Sequence, residues 1–298
     1  MIQALLLCIT IVSATVQNFF TKHYSNKTNK GVFLFNAMSA LVALFIFVGS
    51  AGFQFTFVWG NFIYAVLFAL SYFFAVFGLT MAIKTGPLSI TALIEAYSMI
   101  IASIYGVIFL NEPMTVFMAI GLICLVISLT LINYEKKTET DKNAPTKKIN
   151  GKWLFFVSIG FLGNGFSTVV QKMQQVWSEQ TYGEGVFLYS DELMILGLFM
   201  AFLALMVCAF ILERKDFKNT LRVGWLPALG RGVANGCANL FSILLMTMMA
   251  VSVANAIISV GCVVVAALIS VIVFKEKLNK WQWIGIAIGV VSLILLNI

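Results

Sequence analysis

NEPMTVFMAIGLICLVISLTLIN, residues 111–133, lies without a gap over KEKLNKWQWIGIAIGVVSLILLN, residues 275–297. Eight positions are identical, among them Glu112/Glu276, Gly121/Gly285, Ser128/Ser292 and Asn133/Asn297. A second echo sits nearer the starts of the two halves, where SATVQ (13–17) lies over STVVQ (167–171). The offset grows from 154 to 164 between these matches, and the connection 176–191 takes up the extra residues. The chain therefore reads as one unit written twice.

What the unit is follows from composition. The 298 residues are 61% hydrophobic and 10% charged, far from the balance of a water-soluble domain. Crossing ~30 Å of hydrocarbon takes about 20 apolar residues as helix. Ten stretches qualify, at 2–21, 31–49, 59–82, 87–110, 114–134, 152–174, 192–212, 222–247, 251–273 and 281–297. Lipid offers no partner to an unpaired backbone group, and the ten-residue alternation of membrane strands is absent, so helices are expected. The first stretch reads as a span and not a signal peptide: no basic residue precedes it, and Gln17-Asn18-Phe19-Phe20 is a poor cleavage site.

The polar run 135–151, rich in charge with Pro145 and Gly151, reads as a linker. It divides the chain into a first repeat (1–134) and a second (152–298), each of five helices. Five is odd, so the second copy enters the membrane reversed, the architecture of carriers built on inverted repeats. The expected fold is an all-α integral membrane protein of ten transmembrane helices.

The formal net charge of +7 is a topology signal, not a nucleic-acid footprint. Seventeen of the 19 Lys and Arg fall in or at the edges of the odd-numbered connections. Short cytoplasmic loops collect such residues. Those connections are expected in the cytoplasm and both termini outside the plasma membrane. The five cysteines lie singly inside the expected helices and suggest no disulfide or metal framework.

The segment Asn111-Glu112-Pro113, then a helix with Ile-Gly near its start, returns as Lys275-Glu276-Lys277 followed by Trp283-Ile284-Gly285. This pattern resembles the drug/metabolite transporter superfamily, in its ten-helix EamA-type branch. The resemblance covers the whole chain. It implies a secondary carrier of a small solute, commonly an exporter of metabolites, amino acids or drugs. It also implies a cavity walled by helices 1, 3, 4, 6, 8 and 9, with 5 and 10 peripheral.

The residues give a similar wall set. A helix in lipid with one polar stripe turns that stripe inward. Such stripes contain Gln17 on helix 1, Thr91, Glu95 and Ser98 on helix 4, and Asn164 and Gln171 on helix 6. Arg231, Asn235 and Asn239 mark helix 8, and Asn255 marks helix 9. Helix 3 is weaker, with Tyr64 and Ser71. Helix 7 is apolar on all sides and is expected to face lipid. The plainer alternative is that small and polar residues only pack helices closely. The GxxxG at 285–289 suits either internal packing or a homodimer seam, so monomer and homodimer both stay open.

Glu95 and Arg231 are the two full charges expected deep in the bundle, at similar depth. A charge at a helix centre costs at least roughly 2.5–3.5 kcal/mol on the lowest scales. Two readings remain open. The pair is a structural ion pair, or it faces a wet site where Glu95 holds an ammonium and Arg231 a carboxylate or phosphate. A desolvated carboxylate without its partner can carry a proton, so proton coupling attaches to the second reading. The small multidrug relatives of the superfamily use a glutamate on the first helix. Here that helix offers Gln17 and no acid, so their coupling residue does not carry over. Glu112 and Glu276 lie at helix ends, where a carboxylate favours a neighbouring N-terminus.

An enzyme has thin support. His23 is the sole histidine, and no metal spacing, paired nucleophile or phosphate-cradling loop is present. No cofactor is expected. An uptake carrier and a receptor subunit remain alternatives to export.

Overall fold

The computed structural model describes residues 2–28, 30–85, 94, 97–112, 114–132, 151–183, 188–272 and 280–295. Among them are ten helices and no strand. They are α1 (Ile2–Lys27), α2 (Val32–Ser50), α3 (Trp59–Thr85), α4 (Met99–Phe109) and α5 (Val116–Ile132). The second set is α6 (Gly151–Tyr182), α7 (Ser190–Leu212), α8 (Phe217–Met248), α9 (Val251–Ile272) and α10 (Lys280–Leu295). Five of these are long and apolar enough to cross a membrane by length and composition. The earlier part of the fourth expected helix, with Thr91 and Glu95, lies outside the described residues, as do Glu276 and most of the linker.

The helices pack in pairs that respect the repeat. α3 lies on α6 as α8 lies on α1; α2 on α8 as α7 on α3; α4 on α6 as α9 on α1. The pairs α2–α7, α4–α9 and α5–α10 each join equivalent helices. Exchanging the first five helices for the last five therefore leaves this set of pairings unchanged.

Sequence details explain the junctions. Gly31 takes a left-handed φ of 68° before α2 and lies against the Thr220 side chain, where a Cβ would collide. The Glu213 carboxylate, at the end of α7, accepts hydrogen bonds from the backbone N–H groups of Val32 (3.0 Å) and Phe33 (2.9 Å). Those donors have no partner inside α2, and a carboxylate there also meets the positive end of the helix. Tyr24 donates to the Lys30 carbonyl at 2.7 Å; burial raises its phenol above the ordinary value. The ends of α1 and α7 and the starts of α2 and α8 thus meet at one end of the bundle.

At the other end, Asn111 takes φ 50° just after α4, a conformation asparagine tolerates better than most residues. Glu112 follows and reaches across to α9, accepting from the N–H groups of Val251 (2.7 Å) and Ser252 (3.0 Å). The expected helix-end role of Glu112 is met by a helix 139 residues further on. Gly106 makes room for its carboxylate.

α7 is only half turned outward. Leu193, Met194, Leu198 and Leu205 are buried against α2 and α3, while Phe199, Leu203, Val207 and Phe210 are exposed. Asp191 and Glu192 lie in its first turn, but the N-cap position belongs to Tyr189. The GxxxG of α10 is engaged internally: Gly289 lies against Ser128, and the Gly285 carbonyl accepts from Ser128. The cysteines are free; Cys8 is exposed, the other four are half-buried, and Cys208 and Cys262 pack against the apolar core.

Candidate solute-binding cavity

Two helices from each half, α1 and α3 with α6 and α8, enclose a cavity of about 240 Å³, and α2 and α9 complete its wall. On α1 the lining runs from Thr10 to Thr21, about 16 Å of helix at 1.5 Å per residue. Val32 and Asn36 line it from the very start of α2. The cavity therefore extends toward the end of the bundle that carries connections 28–31 and 213–216. At the opposite end, side chains tie helices together. Lys172 Nζ donates to the Met246 carbonyl (2.7 Å), Gln175 to the Ile243 carbonyl (2.9 Å) and Gln174 to the Leu188 carbonyl (2.8 Å). The Met246 carbonyl belongs to the last turn of α8, where acceptors lack helical partners.

The polar lining is connected. Gln171 on α6 donates to Asn239 Oδ1 on α8 at 3.1 Å. Asn239 Nδ2 donates to Asn235 Oδ1 at 2.7 Å, and Asn235 Nδ2 to the Tyr72 hydroxyl on α3 at 3.5 Å. Asn164 Nδ2 donates to Ser98 Oγ at 2.7 Å, which fixes the start of α4 on α6. Asn255 Nδ2 bonds back to the Val251 carbonyl at 2.9 Å.

Arg231 lies 14 residues into α8, about 21 Å from its start. The distance is longer than for a helix beginning near Arg222 because α8 starts at Phe217. It is 9% exposed. Its Nε donates to Thr21 Oγ1 on α1 at 3.0 Å. Its guanidinium carbon stands 5.7 Å from the centre of the Phe35 ring on α2, which is in turn stacked on Tyr24 at 4.1 Å. Among the described residues Nη1 is buried without a hydrogen-bond partner, and Arg231 is the one charged side chain in the lining.

Of the residues singled out in the sequence, Gln17, Asn164, Gln171, Arg231, Asn235, Asn239 and Asn255 line this cavity. Ser98 stands behind Asn164 and is fully buried. Ser71 belongs to the α3–α6 crossing, its carbonyl against Gly163. Tyr64 packs 5.7 Å from Trp177. Tyr97 holds α5 through the Val126 carbonyl (3.0 Å) and Thr130. Thr91 and Glu95 lie outside the described residues, so the ion pair with Arg231 has no geometry here. The lining of α3 is Phe68, Tyr72, Ala75, Val76, Leu79 and Thr80. The helix 3 stripe of Tyr64, Phe68, Ser71, Ala75 and Gly78 meets the lining at Phe68 and Ala75 and misses Tyr72 and Thr80. Asn36 escaped the sequence reading because a polar residue near a helix start resembles an interfacial one.

The family model of the EamA-like transporter family matches residues 1–134 and 187–298. The chain belongs to the EamA-like transporter family. It is an integral, multi-pass membrane protein of a family of small-solute transporters. No curated protein matches it. A solved structure, described as a crystal structure of a protein, superposes with a TM-score of 0.76 over 98% of this chain and 95% of its own. At 12% identity that likeness concerns the fold alone.

Proposed function

We propose that this EamA-like chain is a secondary carrier that exports a small polar solute across the cell membrane by alternating access. The observation that carries the reading is the origin of the cavity lining. Gln17 and Gln171, equivalent in the repeated sequence, both reach the cavity, as do further polar residues of both halves. A site shared by two reversed units can be exposed to either side when the units rock about it. The division at 135–151, with repeats 1–134 and 152–298, supplies the two units.

The solute is held by Gln17, Asn164, Gln171, Arg231, Asn235, Asn239 and Asn255, with Tyr72 added from α3. The excess of Lys and Arg supports a cytoplasmic side for the odd connections. The cavity then extends toward the cytoplasm, as an exporter ready to load requires. Proton coupling through Glu95 fits the same scheme. The GxxxG is used within the chain, which favours a functional monomer.

Reconstituted vesicles test this. Loaded with an unlabelled panel of amino acids and organic acids, they should take up the labelled counterpart of at least one by counterflow. Chemical conversion of a solute without its movement would overturn the carrier in favour of an enzyme. Uptake into right-side-out cells, driven by the proton gradient, would overturn export.

A further inference from the structure

The cavity combines one buried cation with a neutral polar wall. Guanidinium groups keep their charge throughout the physiological range. A buried charge must find a partner or coordinate one, because its hydration has been given up. Arg231 satisfies Nε on Thr21, and Phe35 offers it only a π-face. Nη1 is left buried and unmatched among the described residues, in a side chain that lines the cavity. Its fixed contacts are on α1 and α2, whereas α4 packs on α6 and α9. The described lining around it offers amides, hydroxyls and apolar groups, with no carboxylate.

We propose that Arg231 is an oxyanion subsite, and that the transported solute is a small acid whose carboxylate or phosphate docks on this guanidinium. The planar fork of donors matches either group. The remainder of the solute is uncharged and polar, held by the amides of Gln17, Gln171, Asn235 and Asn239. Size agrees: about 240 Å³ falls below the ~300–1,000 Å³ of pockets for drug-sized ligands. The inference rests on the carrier reading for the identity of this cavity as the transport site.

The test uses the full chain in lipid nanodiscs. Phenylglyoxal labelling of Arg231 is followed by peptide mass spectrometry, with the exposed Arg214 and Arg222 as internal controls. The probes are lactate and glycerol 3-phosphate, each with its neutral counterpart, lactamide and glycerol. The expected result is slower labelling at Arg231, roughly tenfold, with at least one anionic probe and with neither neutral one. Which anion protects distinguishes a carboxylic acid from a phosphate ester. The same anion should raise the melting temperature of the wild type, partly that of Arg231→Lys and not that of Arg231→Gln. Equal protection by neutral probes, or protection by none, overturns the proposal. So does labelling that rises in Glu95→Gln and ignores every anion, which would mark a fixed ion pair. Protection without counterflow in vesicles overturns the carrier and keeps the subsite. Counterflow of these acids without protection overturns the subsite and keeps the carrier.

Discussion

Ser128 and Ser292 make the same hydrogen bond in opposite directions. Ser128 Oγ donates to the Gly285 carbonyl and Ser292 Oγ to the Gly121 carbonyl, both at 2.8 Å. The four residues are two matched pairs of the repeated sequence, and both serines are fully buried. The α5–α10 seam is thus built from one donor–acceptor pair used twice. Side-chain hydrogen bonds between membrane helices average about 0.6 kcal/mol, because the unfolded chain also finds partners. Ser128→Ala and Ser292→Ala should each cost about that much, by equal amounts, in reversible unfolding in detergent. A clear inequality would mean that the two bonds are not equivalent.

The α3–α6 crossing is held by backbone contact. A Cβ on Gly78 would sit 2.7 Å from the Phe156 carbonyl oxygen and closer still to Gly160. Helix propensity favours alanine over glycine by about 1 kcal/mol, but forcing atoms into a packed seam costs about 1–3 kcal/mol. Sterics should win, so Gly78→Ala is expected to lower the melting temperature. Gly49, with nothing within 4 Å of its would-be Cβ, is the control; Gly49→Ala should be neutral or stabilising. Similar behaviour of the two variants would show that the crossing tolerates separation.

The end of the bundle near connections 28–31 and 213–216 contains two electrostatic contacts of unequal worth. Lys30 and Asp216 approach to 3.7 Å, with the lysine 70% exposed. Exposed pairs of this kind contribute about 0–1 kcal/mol. Glu213 is buried and takes the backbone donors of Val32, Phe33 and Leu34 at the start of α2; losing a helix cap costs about 0.5–2 kcal/mol. Lys30→Ala should therefore leave stability nearly unchanged, while Glu213→Ala lowers it measurably. Glu112→Ala, which uncaps α9, should resemble Glu213→Ala. Thermal unfolding at two salt concentrations checks the order, and only the Lys30 contact should weaken with salt.

The helices were legible in the sequence because the hydrocarbon thickness imposes a length on apolar runs. Their ends were less so. α6 continues to Tyr182, since its polar residues Gln174, Gln175 and Ser178 make hydrogen bonds inside the protein and do not mark an exit from it; α8 begins at Phe217, before its apolar run. The cavity was legible on α1, α6 and α8, where amides in an apolar helix have few other uses. On α3 the lining is aromatic and small, and Tyr72 looks like packing until Asn235 is seen beside its hydroxyl. No local pattern reveals that Glu112 serves Val251 or that Glu213 serves Val32. Those partners come together only when one half folds against the other.

Asn239 is the midpoint of the polar path from Gln171 to Tyr72, accepting from one side and donating to the other. Asn239→Leu keeps a similar volume, removes these bonds together with that from Nδ2 to the Asn235 carbonyl (3.0 Å), and leaves Gln171 Nε2 with only the weak acceptor Met194 Sδ, at 3.4 Å. Hydrogen bonds of this kind contribute about 0.5–1.5 kcal/mol each, so the folded protein should survive with a modestly lower melting temperature. Solute contact is another matter, because a site built to pair polar groups discriminates strongly when one is missing. Transport by Asn239→Leu should show a KM raised about tenfold or more, at unchanged expression and membrane insertion. Gln17→Leu, on the equivalent of Gln171, should do likewise. Unchanged KM and Vmax in both variants would remove this cavity from the solute's path.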